Sequence, residues 1–234
     1  MFIIFEICLF IALGGLIYVF QNDYSVLPVV LKATASLFFV LSGLYGYIKN
    51  RENRRFTRLM LIALLFSMAG DVLLAIDENQ GILFVLGVAT FAIAHVFFSV
   101  SFCSACRVRT KDIVATVIVF AGCVVLLCVG TFDFQGLLPV LLGYAAVVSF
   151  MMVKALSLYS CRKGRERAAW LIMVGGVLFL ASDMVLLFWL FGIDMPKEVQ
   201  SFNWVLYYLA QGCLSAAMNE KDLQFNLSVK TKQV

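Results

Sequence analysis

Long apolar runs separated by short polar turns make up almost the whole chain. The runs cover roughly residues 2–20, 26–48, 58–76, 81–104, 112–131, 136–158, 169–192 and 200–218. Each is close to the roughly 20 residues that a helix needs to cross the hydrocarbon core of a bilayer. The pattern predicts one transmembrane domain of eight helices over residues 1–218, followed by a polar tail over residues 219–234.

The composition supports this interpretation. Of 234 residues, 63% are hydrophobic and 14% are charged, with a mean hydropathy of +0.98. A soluble domain has about 45–50% apolar and about 25% charged residues. The apolar surplus exceeds what one globular core can bury, which indicates an all-α polytopic membrane protein and excludes a separate soluble catalytic domain. A net charge of +4, divided among loops, argues against nucleic-acid binding.

The cations are distributed unevenly between the two predicted faces. Fifteen of the 18 Lys and Arg residues lie in the second, fourth and sixth predicted loops and in the tail, whereas the opposite face has only Lys197. Lys and Arg in short loops favour the cytoplasmic side of a membrane. We therefore expect both termini to be cytoplasmic, which requires an even number of spans, and we expect a bacterial inner membrane.

Histidine and cysteine content limits the kinds of site that can be present. His95 is the only histidine, so zinc or iron sites built on several histidines are excluded, and we expect neither metal nor cofactor. None of the seven cysteines lies in a predicted extracellular loop, so we expect all of them to be reduced packing residues.

Few ionisable residues fall well inside the predicted spans. Glu6 and Lys154 are near the basic face and are interpreted as structural. From a rise of about 1.5 Å per residue, Asp71 and Asp183 lie about 20 Å from that face, and Lys32, Tyr144 and Tyr207 fall at a similar level. His95 lies about 10 Å deeper, so a bond to a neighbouring helix is as reasonable for it as a direct role. An ionisable residue inside the membrane is a functional candidate by default.

Two similar segments carry the aspartates. GDVLL at 70–74 and SDMVLL at 182–187 are four spans apart and run in the same direction. Tyr144 precedes Asp183 by 39 residues, as Lys32 precedes Asp71, and Tyr207 follows Asp183 by 24, as His95 follows Asp71. A four-plus-four parallel repeat is one interpretation, and coincidence is the other.

Small residues beside each aspartate allow close helix packing, so the two carboxylates are expected to meet around one cavity. Two carboxylates at close range in a low dielectric share a proton. Such a pair offers both an acid and a carboxylate at neutral pH, the combination used in acid-assisted hydrolysis.

The chain resembles the YhhN-type lysoplasmalogenase family in four motifs that occur in the right order. They are FSMAGDVLL at 66–74, FAIAHVFF at 91–98, GVLFLASD at 176–183 and YYLAQ at 207–211. Lys32 and the 144–155 stretch also fit, so the resemblance covers most of the chain.

This resemblance implies an eight-helix membrane hydrolase that cleaves the vinyl ether bond of a lysoplasmalogen, giving a fatty aldehyde and a glycerophospho-base. Asp71 and Asp183 would then be the catalytic pair, supported by Lys32, His95, Tyr144, Tyr207, Tyr208 and Gln211. The substrate would be a lysophospholipid in the bilayer, with no obligate protein partner. Which aspartate is the acid is left open.

Two other functions use buried aspartates. An intramembrane aspartyl protease is disfavoured because Met68 stands where its motif has glycine, and no tyrosine precedes Asp183. A proton- or ion-coupled transporter using Lys32, Asp71 and Asp183 is the main alternative, since buried charges also mark ion pathways.

Overall fold

Eight α-helices follow one another in a computed structural model, which describes residues 2–22, 24, 26–76, 81–130, 132–134, 136–162 and 166–221. The helices are α1 (Phe2–Gln21), α2 (Leu27–Lys49), α3 (Arg54–Ile76), α4 (Ile82–Ala105), α5 (Thr110–Val129), α6 (Leu138–Cys161), α7 (Arg167–Phe191) and α8 (Lys197–Ala217). All eight predicted helices are found, with bounds that differ by at most a few residues, and the all-α fold class is confirmed.

Seven of these helices, α1 to α7, are long and apolar enough to cross a membrane. The chain is therefore an integral multi-pass membrane protein. Helix α8 is less apolar because Asn203, Tyr207, Gln211 and Ser215 recur at four-residue intervals along it, and all four are buried inside the bundle. Its polar face is turned toward other helices rather than toward lipid.

The packing of the helices repeats with a period of four. Helix α3 packs on α4 as α7 packs on α8, α2 packs on α3 as α6 packs on α7, and α1 packs on α2 as α5 packs on α6. The two halves meet through equivalent pairs, α4 with α6 and α8 with α2. This arrangement supports the four-plus-four interpretation of the sequence.

The most extensive departure from this symmetry concerns α1 and its counterpart α5. Helix α1 packs against α8, but α5, which occupies the equivalent place in the second half, has no comparable packing on α4 in the described residues. The buried residues of α5 are only Asp112, Cys123 and Leu127. Helix α5 therefore lies along α6 at the edge of the bundle.

The end of the bundle with the cation-rich loops, called here the basic end, is fixed by polar and covalent links. Lys154 is fully buried, and its Nζ lies 2.9 Å from Asp112 Oδ2 and 3.2 Å from the Arg107 carbonyl oxygen. Glu6 accepts hydrogen bonds from the Ser42 and Ser215 hydroxyl groups at 2.7 and 2.9 Å. These contacts are consistent with structural roles for Lys154 and Glu6.

Cys106 and Cys161 form a disulfide that joins the ends of α4 and α6. The expectation that all seven cysteines are reduced is therefore wrong for this pair. The two residues are 55 positions apart, and only the packing of α4 on α6 brings them together.

The predicted tail falls mostly outside the described residues, which end at residue 221. Asn219, its first residue, is buried and donates from Nδ2 to the Ser42 carbonyl oxygen at 3.0 Å.

Candidate functional site

A cavity of about 510 Å³ opens at the end of the bundle opposite the basic end. Five of the eight predicted site residues line it: Lys32, Asp71, Tyr144, Asp183 and Tyr207. The remaining wall is largely aromatic and amide-bearing, with Phe20, Tyr24, Phe84, Phe91, Trp189, Gln200, Asn203 and Trp204 among its members. The fold thus brings both aspartates to one cavity from helices in different halves of the chain.

Asp71 is 1% exposed and is surrounded by donors. Its Oδ2 accepts hydrogen bonds from the Ser36 hydroxyl group at 2.6 Å and the Tyr207 hydroxyl group at 2.7 Å. The ammonium group of Lys32 lies 3.6 Å from Oδ1. Two hydroxyl donors and one cation stabilise a negative charge on this carboxyl group.

Tyr208 and Gln211 lie behind this group rather than on the cavity wall. The Tyr208 hydroxyl group donates to the Lys32 carbonyl oxygen at 3.1 Å, and the Gln211 side-chain amide donates to the Tyr207 hydroxyl oxygen at 3.1 Å. Tyr208 thus fixes the backbone of Lys32, and Gln211 fixes the hydroxyl group of Tyr207. Lys32 and Tyr207 in turn contact Asp71. We interpret Tyr208 and Gln211 as positioning residues.

Asp183 has a different set of partners. The Tyr144 hydroxyl group donates to its Oδ2 at 2.9 Å. His95 Nε2 lies 2.8 Å from the Tyr144 hydroxyl oxygen and 3.7 Å from Asp183 Oδ2, so the phenol connects the imidazole to the carboxyl group. Within the described part of the chain, no Lys or Arg side chain forms an ion pair with Asp183. Asp183 therefore stands in a less charged setting than Asp71.

Each aspartate has one partner from its own half of the chain and one from the other half. Asp71 is contacted by Lys32 from its own half and by Tyr207 from the second half. Asp183 is contacted by Tyr144 from its own half and approached by His95 from the first half. The 39-residue spacing in the sequence therefore corresponds to side chains that meet, whereas the residue that follows each aspartate by 24 positions lies beside the other aspartate.

Three aromatic rings, from α4, α7 and α8, pack together near the aspartates. Phe91, Phe179 and Tyr207 meet edge to face with centroid distances of 5.4 to 6.5 Å. Gly70, the residue before Asp71, allows this approach because a Cβ atom there would lie 2.7 Å from the Phe91 ring. Close packing of α3 on α4 thus sets the position of Asp71.

The sequence argument missed several polar residues of the site, including Ser36, Gln200 and Asn203. Ser36 follows Lys32 by four residues, a helical spacing that places both side chains on one face of α2. Asn203 lines the cavity and donates from Nδ2 to the Ser182 carbonyl oxygen at 2.7 Å. The sequence signal for Asn203 was its position four residues, or about one helical turn, before Tyr207.

Comparison with known families gives a match over most of the chain, because the sequence model of the YhhN family covers residues 27–218. The chain belongs to the YhhN family. The matched region of this YhhN protein starts at the first residue of α2 and includes all eight predicted site residues, so the family suggested by the four motifs is confirmed. Neither the curated proteins nor the solved structures contain a match.

The arrangement in this YhhN protein is suited to acid–base chemistry. No group of three metal-ligating side chains is found among the described residues. Instead, one cavity contains a carboxyl group next to a cation and a second carboxyl group next to a phenol and an imidazole. Such a pair can deliver a proton at one point and accept one at another.

Proposed function

We propose that this YhhN protein is a membrane hydrolase that cleaves the vinyl ether bond of a lysoplasmalogen, giving a fatty aldehyde and a glycerophospho-base. The observation that carries the proposal is that Asp71 and Asp183 line one cavity with unlike partners. Family membership adds to it, since the region matched by the YhhN model, residues 27–218, includes both aspartates.

The unlike partners suggest a division of roles. Lys32, Ser36 and Tyr207 stabilise the ionised form of Asp71, which makes it the carboxylate of the pair. Asp183 lacks a cationic partner among the described residues, which favours its neutral form and makes it the acid. Tyr144 and His95 hold its carboxyl group in place.

The reaction begins when Asp183 transfers its proton to the second carbon of the alkenyl chain. The first carbon then forms an oxocarbenium ion with the ether oxygen, and the Asp71 carboxylate stabilises this positive charge. A water oxygen bonds to that carbon while one water proton passes to Asp71. When the hemiacetal collapses, its hydroxyl proton goes to Asp183 and the proton on Asp71 goes to the departing glycerol oxygen, which restores both groups.

The cavity suits an amphiphile. Its Lys32, Gln200 and Asn203 side chains offer donors to a polar head group, while Trp189 and Trp204 contribute apolar surface with polar edges. Because the cavity lies within a bundle of membrane-spanning helices, a single-chain lipid can present its ether bond there without leaving the bilayer.

The direct test is aldehyde release by the purified protein in detergent or liposomes. We expect release from lysoplasmenyl choline or ethanolamine lipids and no fatty acid from the matching acyl lysolipids. Asp71→Asn and Asp183→Asn should each abolish release while leaving thermal stability unchanged. Asp194→Asn is the matched control, because Asp194 is exposed and does not line the cavity, and it should retain full activity.

Full activity in Asp71→Asn or Asp183→Asn would refute the acid and carboxylate roles. Uptake of a solute driven by a proton gradient in liposomes, without aldehyde release, would instead support a transporter.

We also propose that the basic end faces the cytoplasm of a bacterial cell, which places the cavity toward the outer half of the inner membrane. Tyr24 is exposed beside the cavity, so a Tyr24→Cys variant should then react with a membrane-impermeant maleimide in intact cells. Labelling only after the cells are opened would reverse this orientation and place the Cys106–Cys161 disulfide on the oxidising side of the membrane.

A further inference from the structure

A second, smaller cavity of about 60 Å³ adjoins the first. Tyr144 and Asp183 line both cavities, so the proposed acid stands where they meet. Beyond these two residues the walls of the small cavity are apolar, apart from the thiol of Cys123. The residues that line it and not the larger cavity are Val88, Cys123, Leu127, Leu141, Ala145, Met184, Leu187 and Phe191.

The small cavity lies where the symmetry of the bundle is broken. In the first half, α1 packs against α8, but in the second half the equivalent packing of α5 on α4 is missing from the described residues. Cys123 and Leu127 are the only buried apolar residues of α5, and both line the small cavity. The cavity is therefore bounded toward lipid by α4 and the loosely packed α5.

The chemistry of the two cavities is complementary. The larger cavity has Lys32, Gln200 and Asn203, whereas the smaller one offers aliphatic and aromatic side chains. A site of this shape accepts a molecule with one polar end and one hydrocarbon chain, and the bond between these two parts would lie beside Asp183. A chain that leaves between α4 and α5 remains in the hydrocarbon core of the bilayer throughout.

We infer that the small cavity, called here the chain pocket, binds the first methylenes of the hydrocarbon chain of a single-chain ether lipid and thereby sets the alkenyl carbons beside Asp183. The catalytic significance of this placement rests on the proposed function, but binding of the hydrocarbon chain can be tested without turnover. Leu127 and Val88, on α5 and α4, would then determine which chains fit.

The binding test uses a saturated 1-O-alkyl lysophosphatidylcholine with a photoreactive diazirine near the ether end of its chain. This probe has no vinyl ether and cannot be hydrolysed by the proposed route. After irradiation, we expect crosslinks to peptides that contain Val88, Cys123 or Leu127. Crosslinking should fall about tenfold in Leu127→Trp, which displaces roughly two methylenes from apolar surroundings.

Val125→Trp is the matched control, since Val125 is on the same helix but 60% exposed on its outer side. It should crosslink as the unmodified protein does, and both variants should keep the thermal stability of that protein. If Leu127→Trp is unstable, Val88→Trp fills the pocket from α4 and should show the same loss. Crosslinks that are equal in all variants, or confined to the outer surface of α5, would overturn the inference.

A second measurement separates this inference from the proposed function. If lysoplasmenyl lipids are hydrolysed, Leu127→Ala should shift the preference toward bulkier chains, whereas Val125→Ala should not. Crosslinking in the chain pocket without any aldehyde release would refute the hydrolase and retain the pocket. Aldehyde release with an unchanged chain preference in Leu127→Ala and Leu127→Trp would refute the pocket and retain the hydrolase.

Discussion

The contact between Tyr207 and Asp71 allows a test in which one oxygen atom is removed. The Tyr207 hydroxyl group donates to Asp71 Oδ2 at 2.7 Å, and both residues are buried. Tyr207→Phe keeps the ring, and with it the edge-to-face contacts with Phe91 and Phe179. What is lost is one of the two hydroxyl donors to the carboxylate, together with the acceptor of the Gln211 side-chain amide.

The magnitude follows from the type of hydrogen bond. A bond to a charged group contributes about 1.5–3 kcal/mol, so its loss in the transition state lowers kcat/KM roughly 10- to 150-fold. Tyr208→Phe is the matched control on the next residue, because the Tyr208 hydroxyl group donates to a neutral carbonyl oxygen at 3.1 Å. A neutral bond contributes about 0.5–1.5 kcal/mol, which corresponds to a loss of roughly 2- to 12-fold.

The assay is initial-rate aldehyde release over a range of substrate concentrations, with thermal unfolding of each variant measured in parallel. We expect the loss in Tyr207→Phe to appear mainly in kcat, because the charge that Asp71 stabilises develops only in the transition state. An equal or larger loss in Tyr208→Phe would refute the reasoning, and so would a Tyr207→Phe variant that differs from the unmodified protein only in KM.

Three further predictions concern stability and the surroundings of Asp71. Lys154→Met and Asp112→Leu should each destabilise the protein by about 3–5 kcal/mol, since one buried charge is left unpaired, and the double variant should recover most of that loss in detergent unfolding experiments. Gly70→Ala should lower stability by about 1–3 kcal/mol because its Cβ would overlap the Phe91 ring, and unchanged unfolding would contradict this packing. Ser36→Ala removes the 2.6 Å bond to the carboxylate and should reduce aldehyde release roughly tenfold or more without changing head-group preference.

The helices could be predicted from the sequence because each apolar run has the length of a membrane span. The level of the buried charges was also predictable, since the helical rise converts sequence position into depth. The chain alone could not show how helices rotate about their axes, because most of them are apolar on all sides. For this reason Ser36 was missed, although it is one turn from Lys32 and contacts Asp71.

Depth estimates from the helical rise also ignore how far a side chain extends from its backbone position. His95 was expected about 10 Å below the other groups, yet its ring lies 2.8 Å from the Tyr144 hydroxyl oxygen because two aromatic side chains span the difference. Asp112 was not singled out in the sequence, but Lys154 reaches it from α6. The Cys106–Cys161 disulfide depends in the same way on contacts between helices that no local pattern encodes.

The polar face of α8 has a consequence for how the protein is made. Four of its residues donate hydrogen bonds to groups on α7, α3, α2 and α1, in that order: Asn203, Tyr207, Tyr208 and Ser215. Asn219, just after the helix, donates to a second group on α2. In lipid these groups have no other partners, and unsatisfied polar groups there are costly. Hydrogen bonds to the earlier helices therefore stabilise α8 in the bilayer. Membrane insertion of α8 and assembly of the candidate site are then one event. A chain that has not yet packed its first seven helices has neither a stable eighth span nor a complete site.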